Sequence, residues 1–163
     1  MIHFEKLLDD DRIDLITSFV TFHHLSRLEP TLKELTRILR KNGYLIIREH
    51  DCDNTFSLPT KYLNFVHAIM MIGQVGEFSA ASKQSSSAFE RKRLDWPSQK
   101  QEILKYMKTI NYRTKEEWNE QMKCFGLEFC SGFTYGTTSS DNPQGLFYAV
   151  YQMKTKGKEF GSR

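Results

Sequence analysis

Two short runs hold the side chains best suited to chemistry. His23 and His24 stand together after one apolar segment, and Arg48, Glu49, His50 and Asp51 stand together after another. An imidazole titrates near neutral pH, so a histidine in a pocket can orient an acceptor or take its proton. The same residue packed inward is a structural group satisfied by a backbone carbonyl, and both readings stand for His23 and His24. Four ionisable residues at the end of a buried strand are costly unless paired with one another or turned toward a ligand. Strand alternation sends Arg48 and His50 to one side, Glu49 and Asp51 to the other. A carboxylate there can bind an amine or hydroxyl, or it can close an ion-pair network. His23, His24, Glu49 and His50 are also metal-ligating types. Adjacent histidines seldom reach one ion together, however, so no metal is expected.

The elements that must position these residues are readable. Residues 14–20, DLITSFV, are β-branched and aromatic, as a buried strand needs. Leu28, Leu32, Leu35 and Leu39 recur at helical spacing, with Pro30 in the first turn. Lys41, Asn42 and Gly43 are expected to end that helix, Gly43 being suited to a left-handed cap. A second strand follows at about 43–49. Strand, helix and strand make a right-handed crossover with parallel strands, whose ligand crevice lies beyond their carboxyl ends. Both polar runs are delivered there.

The remaining elements follow in order. A helix is expected from about Pro59, with Ser57 as its cap. Its apolar face is read as Tyr62, Phe65, Val66, Ile69, Met70 and Gly73, which leaves His67 and Asn64 pointing elsewhere. Residues 79–97 begin with a serine-rich run and have the composition of a mobile or plain surface loop. A weaker helix covers Ser98–Tyr106. Thr114-Lys115-Glu116-Glu117 is a capping box opening a helix with Trp118, Met122 and Phe125 on one face and Gly126 at its end. Leu127–Tyr135 and Leu146–Met153 read as an antiparallel hairpin, with Tyr135 and Tyr148 as core or pocket wall. Ile2–Leu7 has the pattern of a short strand.

DLITSFVTFHHL followed by LKELTRILRKNGYLIIREHD resembles the second half of a class I, Rossmann-like, S-adenosylmethionine-dependent methyltransferase. That family's pattern is a hydrophobic strand ending in HHL, a helix with L.E..R.L, a K.GG turn and a YLII.E strand. Asn42 stands where the pattern has its first turn glycine. The resemblance covers roughly forty residues firmly, and the rest by order of elements. It implies an α/β fold: a partial methyltransferase sheet with parallel strands at 14–20 and 43–49, a C-terminal antiparallel hairpin, and helices packed on the sheet. One truncated domain over 1–156 is expected, with 157–163 a tail that looks vector-derived.

The resemblance also implies a lid over the substrate at 79–97, as the alternative to a plain surface loop, and it implies roles. Ser18 and Phe19 would border the cofactor, S-adenosylmethionine. His23, His24, Glu49 and His50 would do the chemistry, and Arg48, Asp51, His67 and Tyr135 would meet the substrate. The family's glycine-rich turn after its first strand is not found, since no G-x-G occurs in the sequence. The cofactor would then bind only if a missing half were supplied. Two functions follow as expectations. One is the acceptor-side half of a methyltransferase acting on a small molecule, a nucleotide or RNA. The other is an inactive remnant serving as an interaction or regulatory subunit. In the family's sheet the first strand lies beside the one at 14–20, so its loss leaves a hydrophobic edge that soluble proteins avoid. A homodimer or a partner chain across that edge is expected, or a local rearrangement of Ile2–Leu7 that covers it.

Composition is consistent with this. The chain has 163 residues and a formal charge of +3, with no basic stripe to announce nucleic-acid binding. Its three cysteines lack CxxC spacing, which points away from a disulfide framework or zinc knuckle and toward a reducing, cytoplasmic setting. No apolar run approaches the length of a membrane span.

Overall fold

The β-branched segment expected as the first strand forms β1, Ile13–Phe19. In this computed structural model the described residues are 8–52, 56–76, 78, 79, 96–136, 138 and 140–154. After β1 the chain makes one 3-10 turn, Phe22–His24, and enters α1, Leu28–Ile38. Leu28 and Leu32 of the expected stripe are buried. The helix ends at Ile38, short of Lys41–Gly43, and β2 runs from Leu39 to His50, four residues earlier than expected.

The reason lies in two residues. Leu39 is buried in the core from an extended backbone, and the left-handed residue is Asn42 (φ 65°), not Gly43. Gly43 is needed for close approach instead. A Cβ there would stand 2.9 Å from the Arg40 carbonyl oxygen and 3.0 Å from that of Asp14. This is where β1 and β2 slip register, between the Ile13–Leu39 and Leu15–Tyr44 pairs. From Leu15–Tyr44 to Phe19–Arg48 the two strands run parallel, as the crossover requires.

The other elements are α2, Leu58–Gly73; α3, Trp96–Met107; α4, Lys115–Cys124; β3, Leu127–Thr134; and β4, Leu146–Met153. The hairpin β3–β4 is antiparallel, and β4 pairs antiparallel with β2. The sheet order is β1-β2-β4-β3, so β1 lies at an edge among the described residues. Leu28 and Leu32 of α1 and Trp118 and Met122 of α4 share one core with Leu45, Ile47, Phe147 and Tyr151. Leu15, Phe19, Tyr44 and Phe133 are exposed.

Two expectations are corrected. The buried residues of α2 are Thr60, Leu63 and His67, while Phe65 and Ile69 are more than half exposed. The helix is apolar nearly all round, so apolar spacing alone could not select the inward face, and His67 points in. The expected lid also ends sooner, because Trp96 and Pro97 already belong to α3. The rest of the lid segment beyond Ser79, the N-terminal strand Ile2–Leu7 and the tail 157–163 lie outside the described residues. The capping box is formed as read: Glu117 N donates to Thr114 Oγ1 and Thr114 N to Glu117 Oε2.

Candidate functional site

Glu49 organises the strand ends. It points to the core side of β2 beside Ile47 and is fully buried. Its Oε1 accepts the backbone N–H groups of Thr21 and Phe22 at 3.0 and 2.7 Å. Its Oε2 lies 2.7 Å from Nδ1 of His23. The carboxyl of β2 thus holds the turn that leaves β1, and it takes the Nδ1 proton of His23 into a hydrogen bond. That leaves His23 Nε2 as the basic nitrogen, and this atom is buried with no hydrogen-bond partner among the described residues. A buried polar atom without a partner costs on the order of 1–3 kcal/mol, so its purpose needs an explanation.

Around that nitrogen stand aromatic and imidazole rings. His24 lies with its ring centroid 3.9 Å from that of His23, and His50 at 5.0 Å. His67 reaches in from α2 at 6.2 Å, and Tyr112 stacks at 5.9 Å. Tyr106 Oη is 3.1 Å from His24 Nδ1, and Tyr112 Oη is 3.2 Å from His67 Nδ1. His50 donates from Nδ1 to the Gln144 carbonyl at 2.8 Å, and its own carbonyl accepts from the Trp118 indole. Burial first, and the electrostatic influence of the neighbouring His23 ring second, hold the His50 imidazole down to about 4 from its ordinary 6.5, so it is neutral at pH 7.

The segment between α3 and α4 straps the turn in place. Asn111 N donates to the His23 carbonyl, and Asn111 Nδ2 to that of Leu25. Two residues on, Arg113 accepts from Cys52 N.

The structure brings together His23, His24, Glu49, His50 and His67. It sends the other expected residues elsewhere. Asp51 accepts from Lys115 N and anchors the start of α4. Arg48 leaves by the opposite face from Glu49, with its guanidinium 5.9 Å from the ring of Phe19. Its Nε, like His23 Nε2, is buried without a partner among the described residues. Phe19 is half exposed and meets Tyr148 edge-on, Ser18 is half-buried on β1, and Tyr135 is exposed beyond β3. Sequence reasoning missed Tyr106, Asn111, Tyr112, Trp118 and Gln144. These act on the histidines across long sequence separations, and no local spacing marks them.

Residues 3–47 match the family described as "Methyltransferase domain". A search of curated protein sequences returns no match. Among solved structures, the chain is similar to a possible histamine N-methyltransferase from Thermotoga maritima, with 19% identity and a TM-score of 0.52 over 91% of this chain and 59% of that one. It is also similar to a putative methyltransferase solved with the Haloferax volcanii Trm112 methyltransferase activator (13%, TM-score 0.51, 91% and 57%). A third is geranyl diphosphate C-methyltransferase from Streptomyces coelicolor A3(2) (9%, 0.52, 91% and 50%). The fold is that of the class I methyltransferases. The chain spans half to three-fifths of the length of these three structures. The expected methyltransferase sheet is therefore present over the described strands. No helix among the described residues is long and apolar enough to cross a membrane.

Proposed function

We propose that this chain, as a single domain over 1–156, is the acceptor-side half of an S-adenosylmethionine-dependent methyltransferase. The observation that carries the reading is the buried Glu49–His23 pair at the adjoining carboxyl ends of β1 and β2, the place where this fold takes its ligands. Methyl transfer asks the protein chiefly to position and desolvate donor and acceptor. S-adenosylmethionine, when bound, supplies the electrophilic methyl group. The described residues fit only part of it: Ser18 and Phe19 can form a wall, but no glycine-rich cradle accompanies them. Cofactor binding therefore depends on a cofactor-binding half, in the same polypeptide or another. What this chain's residues do is hold the acceptor. Glu49 fixes the His23 tautomer and presents Nε2 to the acceptor's polar end, with His24, His50 and His67 around it.

The acceptor in this reading is a small molecule or an RNA or nucleotide group. The setting is cytoplasmic, in keeping with Cys52, Cys124 and Cys130 forming no disulfide among the described residues. A second reading, an inactive remnant used as an interaction subunit, is favoured by one observation. β1 is a sheet edge carrying the exposed side chains of Leu15 and Phe19. In either reading that edge pairs with a second copy or a partner chain. Calorimetry with S-adenosylhomocysteine separates the two, using the chain alone and the chain joined to the segment encoded upstream. The methyltransferase reading expects tight one-to-one binding only in the joined form. Tight binding by the chain alone would overturn the half-site reading, and no binding in either form would leave the interaction subunit.

A further inference from the structure

We infer that His23, His24 and His67 form a site for a divalent transition-metal ion of the zinc class, with a fourth coordination position left for a ligand other than protein. Each of the three offers a ring nitrogen, and these nitrogens lie within 4.8 Å of one another. Around a tetrahedral ion with bonds of about 2.0–2.1 Å, ligand nitrogens stand about 3.4 Å apart, so closure needs side-chain shifts of about 1 Å. Adjacent histidines seldom reach one ion together, and here the backbone brings them close. The 3-10 turn at Phe22–His24 brings the two rings to 3.9 Å, where an extended strand would send them to opposite faces.

A second observation points to a ligand independently. The His23 side chain is only 1% exposed, its Nδ1 is engaged by Glu49, and its Nε2 has no partner among the described residues. This is the arrangement of a metal-binding histidine, in which a carboxylate on one ring nitrogen fixes the tautomer and raises the basicity of the other. The remaining two histidines are oriented in the same way, by Tyr106 on His24 Nδ1 and Tyr112 on His67 Nδ1. An all-imidazole donor set suits zinc, copper, nickel or cobalt over magnesium or calcium. Three protein ligands leave a position for water or for an acceptor oxygen or nitrogen. The ion would also tie α2 to the turn after β1.

The site shares its histidines with the methyl-transfer reading, the ion taking the place at His23 Nε2 that the reading gives to the acceptor. It does not rest on that reading, and its test needs no cofactor. The full chain, treated with chelator and dialysed, is titrated with Co²⁺ while the visible absorption is followed. One-to-one uptake is expected, with the strong d–d bands of a four-coordinate site, displaced by one equivalent of Zn²⁺. His24→Gln and His67→Gln should each weaken uptake by at least about 10-fold, and Glu49→Gln by roughly 10–100-fold, with near-ultraviolet circular dichroism confirming that the variants are folded. Absence of stoichiometric uptake by the unmodified chain overturns the inference. So does a thiolate charge-transfer band, which would place the ion on Cys124 or Cys130, or unchanged uptake in folded His24→Gln and His67→Gln.

Discussion

At the scale of single residues, Glu49 does the work of three partners. It satisfies two backbone donors and one imidazole from a fully buried position. Glu49→Ala should destabilise the chain by about 3 kcal/mol, because it leaves buried donors unmet. Glu49→Gln should cost about 1 kcal/mol, since its oxygen can still serve Thr21 and Phe22. Urea unfolding measures both, and the gap between them reports the two backbone contacts that Gln keeps. His50 carries the pH dependence. Its proton affinity is lowered on folding, so the unfolded chain binds the proton first as pH falls. Stability should drop between about pH 6.5 and 4, by about 3 kcal/mol in all, and His50→Gln should remove that part of the loss. Chemical unfolding at stepped pH, with chelator present, checks the sign. The residues of this cluster were legible as types, because histidines and acids after apolar runs stand out in a sequence. Their pairing was not. Alternation sent His50 and Glu49 to opposite sides, whereas both reach the His23 ring at the strand end, and nothing local says that a carboxyl on one strand will hold the turn leaving its neighbour.

At the scale of elements, the caps and turns were the most readable features, because they are local. Ser57 caps α2 and Thr114 with Glu117 boxes α4, where polar residues precede helical spacing. The boundary between α1 and β2 was misplaced because the signals conflict. Lys41, Asn42 and Gly43 look like a helix end, yet Leu39 gains more by entering the core from a strand. Gly145 shows how a distant turn controls the site. It sits at φ 59° with its would-be Cβ 2.7 Å from the Asp51 carbonyl oxygen, and its own carbonyl accepts from Asp51 N. Gly145→Ala should cost about 2 kcal/mol or more through backbone strain and contact. A fall in melting temperature of roughly 4–8 °C would register it. If the melting point is unchanged, β2 does not need this turn to end where it does.

At the scale of the whole molecule, the sheet leaves β1 at an edge with Leu15 53% exposed. Sedimentation velocity should show association that rises with concentration, and Leu15→Lys should reduce it by placing a charge on the edge. A monomer at every concentration would argue that the edge is covered within the chain. The place of β1 at the edge among the described residues was readable from strand order, whereas the inward turn of α2 was not, because that helix is apolar on several sides. The strap at Asn111 has one more consequence, and it concerns time. Asn111 holds Leu25 across 86 positions of sequence, and contacts so distant in sequence form late in folding. During synthesis, all the histidines of the cluster leave the ribosome long before the residue that locks them in place. For that interval β1, β2 and their polar ends are made but unfastened, a state in which an unpaired strand is open to the wrong neighbour. Proteolysis of stalled nascent chains should therefore find the His23 turn cleavable until residues beyond Arg113 have emerged, and protected afterwards.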